Sequence, residues 1–291
     1  MAVIRMAAVA AHFGREIERA VVKVEGIIAD ARAQGVDVLV LPDATLGGYL
    51  TDLRDPDPTD VPPGVTIDGP ELARIRAAAG DMIVCLGFTE LAASPSGAVL
   101  RYNTAACVSA GAVWGTHRKV HRPINESRVY AAGTSFDAFD TPLGRLGMLI
   151  DYDKTFPEAA RSLALDGAEI LVCLSAWPAS TTDRAERLPL DRQSRLFDLY
   201  DCARAAENQV FLISSNQTGV MGGLRFLGQA KVVGPGGDVL GKTRAKGALA
   251  VAEADVRHEL VRARRVLHHL EELAPAAYRP PSAPGLGLPG R

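Results

Sequence analysis

Two kinds of apolar spacing alternate along this chain: short continuous runs, and longer stretches in which apolar residues return every three or four positions. The first kind predicts buried strands and the second amphipathic helices. Val3 to Val9 is a run. From Arg15 to Gln34 the residues Ile17, Val21, Val24, Ile27, Ile28 and Ala31 recur at helical spacing, Gly35 closes the helix, and Val36 to Leu41 is a run again. This strand–helix–strand opening predicts a parallel or mixed sheet.

The same alternation continues. Ala44 to Gly69, with prolines at 56, 58, 62 and 63, is a loop too long for a passive connection and reads as a lid or binding wall. Pro70 to Ala79 is a short helix with proline in its first turn, and Met82 to Glu90 is a strand. Arg101 to Ser109 and Ala112 to His117 form a hairpin around Ala110-Gly111. Turn residues Pro142 and Gly144 feed the run Leu146 to Ile150, and helical spacing resumes at Phe156. Strands follow at Glu169 to Leu174 and Val210 to Ser215, with a polar loop and a long helix ending at Asn208 between them. Phe226 to Val233 and Asp238 to Leu240 make a second hairpin, and Asp255 to Leu273 is expected to be helical. The chain thus divides into one domain over 1–273 and a proline- and glycine-rich tail over 274–291, extended or wrapped on a neighbour.

Composition narrows the function. With 291 residues, 47% hydrophobic and 23% charged, the chain has ample core. A formal net charge of −2 without a basic cluster argues against a nucleic-acid or membrane-surface partner; Arg262, Arg264 and Arg265 read as a solvated helix face. No apolar run approaches the ~20 residues of a membrane span. The N-terminus lacks a signal-peptide pattern, which points to a cytoplasmic protein with reduced thiols. Cys85, Cys107, Cys173 and Cys202 are scattered without metal-ligand spacing, so no metal site is expected.

The junction between Ile150 and Phe156 carries the candidate chemistry. Asp151 would stand at the carboxyl end of a strand, where α/β proteins bind ligands. The stretch from Leu146 through Asp151-Tyr152-Asp153 to Phe156-Pro157-Glu158 and Arg161 resembles the nucleophile region of the nitrilase, or carbon–nitrogen hydrolase, superfamily, with Asp151 at the cysteine position. Other segments match in order: Pro42-Asp43 where that superfamily has Pro-Glu, Arg118-Lys119-Val120-His121 at its lysine block, and Glu126 at its second glutamate. Gly87-Phe88-Thr89-Glu90, Arg101-Tyr102-Asn103-Thr104, Gly167-Ala168-Glu169, Ser175-Ala176-Trp177, Arg204 to Gln209 and Gly234 to Leu240 match as well, so the likeness runs from Val3 to about Val251. It implies an α/β fold, a four-layer α-β-β-α sandwich, usually in a homodimer or higher homo-oligomer. It also implies a cofactor-free hydrolase acting on a small molecule. Its mechanism uses a thiolate nucleophile, a glutamate that shuttles the proton and a lysine that stabilises the oxyanion. Carried onto this sequence, the candidate catalytic residues are Asp43, Lys119, Asp151 and Glu126. Tyr49, Tyr152 and Trp177 are the expected substrate contacts, Trp177 being equally readable as core.

Two aspartates change that chemistry. Carboxylate attack on an amide would form an anhydride and expel a poorer leaving group than itself, so thioester-type hydrolysis is not expected. Asp43 is one methylene short of glutamate, about 1.5 Å along the side chain, and a displacement near 1 Å can cost about 100-fold. Two carboxylates beside one ammonium would split their pKa values into an acid and a base. Three readings stay open: an enzyme with altered acid–base chemistry on a small amide-, amidine- or carboxylate-bearing substrate, a silent relative that binds a metabolite or partner, and a plain amidase whose cysteine was replaced. Blander roles accompany the sharp ones. Lys119 and Glu126 could form a structural ion pair, His121 could be packed, and Asp153 could cap or orient the turn before Phe156. Glu158 and Arg161 could pair on their helix, and Cys173, on the face it shares with Ser175, is a buried thiol sooner than a displaced nucleophile.

Overall fold

The computed structural model of the protein describes residues 3–94, 96–243 and 248–278. In chain order the elements are β1 (Ile4–Ala11), α1 (Ile17–Ala33), β2 (Val38–Val40), α2 (Pro70–Ala79), β3 (Ile83–Ala93), β4 (Val99–Val108), β5 (Val113–Arg118), β6 (Phe139–Thr141), β7 (Gly144–Ile150), α3 (Pro157–Leu165), β8 (Ile170–Ser175), α4 (Arg192–Asn208), β9 (Phe211–Gln217), β10 (Val220–Met221), β11 (Leu224–Arg225), β12 (Lys231–Val233), β13 (Val239–Lys242), β14 (Leu249–Ala254) and α5 (Val256–Ala263).

Apart from β10 and β11, which pair with each other, the strands form two sheets that share β1. On one side the order is β5-β4-β3-β2-β1 with β14 antiparallel to β1; on the other β9, β8, β7 and β6 follow, with β12 and β13 added to β9. The link is the end of β1, where Ala10 and Ala11 pair in parallel with Asn216 and Gln217. Strand periodicity sorts the side chains. Met6, Ala8 and Ala10 point into a central layer with Val38, Val40, Cys85 and Cys107 of the first sheet and Met148, Ile150, Val172 and Ile213 of the second. Ala7, Val9 and Ala11 point the other way, beneath the apolar stripes of α1 and α2. The second sheet's outer face packs through Leu149, Leu171 and Leu212 against Ala160 and Leu163 of α3 and Ala205 of α4. These layers are the expected α-β-β-α sandwich.

Direction of travel positions the site. β1, β2 and β3 are parallel, β4 reverses, and β5 reverses again, so the carboxyl ends of β2 and β5 lie at one end of the first sheet. β7, β8 and β9 are parallel to one another and, through β9, to β1. The ends of β2, β5 and β7 therefore converge.

The structure corrects the reading of the C-terminal region. The expected helix from Asp255 to Leu273 stops at Ala263, because the chain turns to seal the end of α4: Gln209 Nε2 donates to Ala263 O at 2.9 Å and Leu267 O at 2.8 Å, and Arg264 Nη2 donates to Gln209 O at 3.0 Å. Arg264 is thus no member of a solvated helix face. β14 lacks a sequence reading because its apolar residues are mostly alanine, with Leu249 and Val251 the only larger ones, yet it pairs antiparallel with β1 over Ile4 to Val9. Of the tail over 274–291, residues 275–277 form a single 3-10 turn and the part beyond 278 lies outside the described residues.

One glycine ties the fold to the site. A Cβ at Gly87 on β3 would lie 2.7 Å from Asp43 Cα and 2.8 Å from Ala44 N. Gly87→Ala is expected to cost about 1–3 kcal/mol by overpacking, read as a lower midpoint in urea denaturation; a variant as stable as the parent would contradict this close approach.

Candidate active site

Asp43 follows β2, Lys119 follows β5, Asp151 follows β7, and Glu126 opens a 3-10 turn after the Lys119 segment. The structure brings all four expected side chains together. Lys119 Nζ donates to Glu126 Oε1 at 3.1 Å and to Asp151 Oδ2 at 3.2 Å, and lies 3.0 Å from Glu126 Oε2. Asn103 Nδ2 donates to Asp43 Oδ2 at 3.0 Å, and Tyr49 OH donates to Glu126 Oε1 at 2.8 Å. Asp43, Lys119 and Glu126 are sealed from solvent, whereas Asp151 keeps 5% of its surface. Among the described residues no group of three or more His, Cys, Asp or Glu side chains is arranged to hold a metal, and no helix is long and apolar enough to cross a membrane.

Backbone strain marks the same place. Of the four non-glycine residues in the left-handed region among the described residues, Ala44 follows Asp43, Ile124 precedes Glu126 by two, and Asp151 is itself a site residue with φ +50°. Such conformations are costly outside glycine, most of all for a β-branched residue, and cluster at functional sites. At Asp151 the strain turns the chain sharply out of β7 into a 3-10 turn over Asp151–Thr155, which lifts the side chain off the strand end.

Asp153 orients this turn without capping α3, whose N-cap position is Phe156. Its Oδ2 accepts from Ile150 N at 3.2 Å and contacts His117 Nε2 at 2.9 Å; its Oδ1 accepts from His121 N at 2.9 Å and contacts His121 Nδ1 at 2.9 Å. Burial would raise this carboxyl, but the two histidine partners outweigh it and hold Asp153 well below the usual carboxylate range. His121 also stacks on Phe156 with ring centroids 3.7 Å apart.

Sequence reasoning missed three supports. Gln217, the last residue of β9, donates to Asp43 O at 2.9 Å and Ala44 O at 3.2 Å, fastening the Asp43 corner of one sheet to the other. Arg204 on α4 donates to Lys154 O at 2.8 Å and Thr155 O at 3.0 Å, gripping the turn behind Asp151. Asp201, one turn earlier, accepts from Lys154 at 2.7 Å and Lys231 at 2.6 Å in a wholly buried trio. A signal for the last two existed: Asp201, Arg204 and Asn208 share a helical face with the apolar Phe197 and Ala205.

Other expectations resolve locally. Tyr49 joins the cluster through Glu126, and Tyr152 lies beside it, half-buried, with its ring edge-on to Phe156 at 5.2 Å. Trp177 sits in a satellite cluster with Ala179, Phe197 and Leu227, its indole N–H donating to Gln193 Oε1 at 3.0 Å. Arg161 does not pair with Glu158; its Nη2 donates to Glu207 O at 2.8 Å, because α4 offers a half-buried carbonyl. Cys173 is packed between β8 and the outer helices, and burial pushes its thiol up to about 12, so it supplies no displaced thiolate.

Electrostatics differentiate the cluster. Burial, aided by the charges of Asp151 and Glu126, raises the Asp43 carboxyl to about 7 against the pull of Lys119 and Asn103. Burial alone would lower Lys119, but Glu126, Asp151 and Asp43 together hold its ammonium above the ordinary value. Burial likewise keeps Glu126 above its usual range despite Lys119. The raised Asp43 pKa has a stability sign. The folded state binds a proton that the unfolded state releases above about 4, so this group costs stability progressively as pH rises from there through about 7. Asp43→Asn, which keeps an acceptor for Asn103, is expected to melt above the parent at pH ~8 and to lose that advantage toward pH ~5. An offset in Tm independent of pH would contradict the raised value.

Comparison with known proteins places the chain. The carbon-nitrogen hydrolase family model matches residues 2–266. A nitrilase of Pyrococcus abyssi is 30% identical over 249 residues, covering 84% of this chain and 86% of that protein. A Schizosaccharomyces pombe protein named "Probable nitrilase" is 36% identical over 130 residues, which span 45% of this chain and 43% of its own length. The crystal structure of a carbon-nitrogen hydrolase from Helicobacter pylori G27 superposes with a TM-score of 0.80 at 24% identity, covering 95% of this chain and 97% of that one. Amidases are among the further relatives. The sandwich, the converging strand ends and these matches lead to one conclusion: the chain belongs to the carbon-nitrogen hydrolase family.

Proposed function

We propose that this chain is a carbon–nitrogen hydrolase that works by acid–base chemistry without a thiol, with Asp151 standing where the family carries its cysteine and Asp43 where it carries its glutamate. The observation that carries this reading is the different setting of the two aspartates: Asp43 is wholly buried, which pushes its carboxyl up to about 7, while Asp151 is ion-paired to Lys119 and meets solvent. Groups poised near the working pH are the effective proton carriers.

In the proposed reaction Asp151 takes a proton from water, and the water oxygen bonds to the electrophilic carbon of a small amide-, amidine- or carboxylate-bearing substrate. The displaced electron pair settles on the substrate heteroatom, where the Lys119 ammonium stabilises it. Collapse breaks the carbon–nitrogen bond as protonated Asp43 gives its proton to the departing nitrogen. The proton on Asp151 passes through solvent to restore Asp43. Glu126 and Tyr49 hold Lys119 in place, and Tyr152 is assigned to the substrate side, whereas Trp177 belongs to the apolar cluster with Phe197 and Leu227.

The 3.2 Å contact of Lys119 with Asp151 favours a second reading, in which that carboxylate fills the oxyanion position and the protein binds a metabolite or partner without turnover. A turnover screen over nitriles, amides, amidines and carbamoyl compounds separates the two. Acid–base hydrolysis predicts a substrate for the native protein whose turnover falls at least 100-fold in Lys119→Ala, in line with loss of an oxyanion donor. Activity confined to Asp151→Cys would instead establish the binding-only reading.

A further inference from the structure

The cluster carries more negative charge than its lysine cancels. Glu126 and Asp151 oppose the single ammonium of Lys119, and Asp43 adds a further negative charge or none. With Glu126 and Asp151 both ionised the site is net negative whichever form Asp43 takes. Within the cluster the Lys119 ammonium faces both oxygens of Glu126 and one of Asp151, so it leaves Oδ1 of each aspartate without a cation.

Among the described residues four buried acceptors of the cluster make no hydrogen bond, Asp43 Oδ1, Asn103 Oδ1, Glu126 Oε2 and Asp151 Oδ1; Glu126 Oε2 still faces Lys119 Nζ at 3.0 Å, which leaves Oδ1 of each aspartate as the carboxylate oxygens without a partner. Asp43 is wholly enclosed and Asp151 is 5% exposed. A buried carboxylate oxygen left without a hydrogen bond is unfavourable, so Oδ1 of Asp43 and Oδ1 of Asp151 call for N–H donors from outside. A carboxylate ligand brings acceptors and a repelled charge. A neutral amide brings donors on one side and an acceptor on the other. A planar nitrogen cation brings N–H donors along more than one edge together with the missing positive charge, and its fork matches carboxylate oxygens.

We propose that this site receives an amidinium or guanidinium group, held by Oδ1 of Asp43 and Oδ1 of Asp151. The inference rests on the reading of this cluster as the functional site and narrows its substrate from three chemistries to one.

Acetamidinium, acetamide and acetate test it, being nearly equal in shape and respectively cationic, neutral and anionic. NMR titration of the native protein at neutral pH should show acetamidinium binding at least tenfold more tightly than either companion. That preference should shrink by a similar factor in Asp151→Asn and in Asp43→Asn, with chemical-shift dispersion retained. Acetamide or acetate binding as well as the cation, or acetamidinium failing to bind, overturns the proposal, and this arm needs no variant to fold. The same spectra report hydrolysis, which keeps the two claims apart. Cation binding without turnover of any amidinium compound sinks the catalytic reading and leaves this one standing. Lys119-dependent hydrolysis of acetamide that acetamidinium does not inhibit does the reverse.

Discussion

An ammonium placed where water does not reach must be paired, or the cost of burying it exceeds what a small region of fold can repay. Lys119, 1% exposed, is that group here. Glu126 answers it from a turn a few residues on and Asp151 from the end of the opposite sheet, so the ion cluster is also the joint between the two sheets at this end of the sandwich. Removing either acid leaves a buried charge half-compensated. The joint explains why the surrounding loops accept strained backbone at Ala44, Ile124 and Asp151.

Around that joint the structure spends its polar contacts on fixing direction. Asp153 draws His117, His121 and the Ile150 amide onto one carboxylate, so the segment that bears Lys119 and the segment that bears Asp151 are clasped two residues downstream of each. α4 grips the same turn from behind through Arg204 and the Lys154–Asp201–Lys231 trio. Gln217 does the equivalent for Asp43. Side chains locked by partners of their own are what hold a reacting constellation to the tolerance that chemistry needs.

Much of this was legible in the sequence. Continuous apolar runs marked β1, β7, β8 and β9 because both faces of those strands are covered, and helical spacing marked α1 for the same reason of burial. Pro70 and Gly80 bracket α2 by backbone chemistry alone. The four cluster residues could be named because the motifs around them resemble those of the carbon–nitrogen hydrolase superfamily, and three of them stand just past a strand end while Glu126 opens a 3-10 turn. β14 and the early stop of α5 could not be read, since a short alanine-rich strand and a helix cut short by Gln209 and Arg264 depend on contacts distant in sequence. The fate of Arg161, and the pinning of Asp153 by two histidines from another strand, were hidden for the same reason. A pattern shows which face is buried, but not which carbonyl or carboxylate waits there.

The central claim is that Asp151 activates water and never itself bonds to the substrate carbon. Hydrolysis in water enriched in oxygen-18, followed by mass spectrometry of the peptide containing Asp151, tests it most directly. An acyl–aspartate intermediate opened by water would leave heavy oxygen in the Asp151 carboxylate after repeated turnover. The account predicts label in the product acid alone, with the Asp151 peptide at its natural mass. Heavy oxygen in that peptide would show that the aspartate is a nucleophile and would contradict the account.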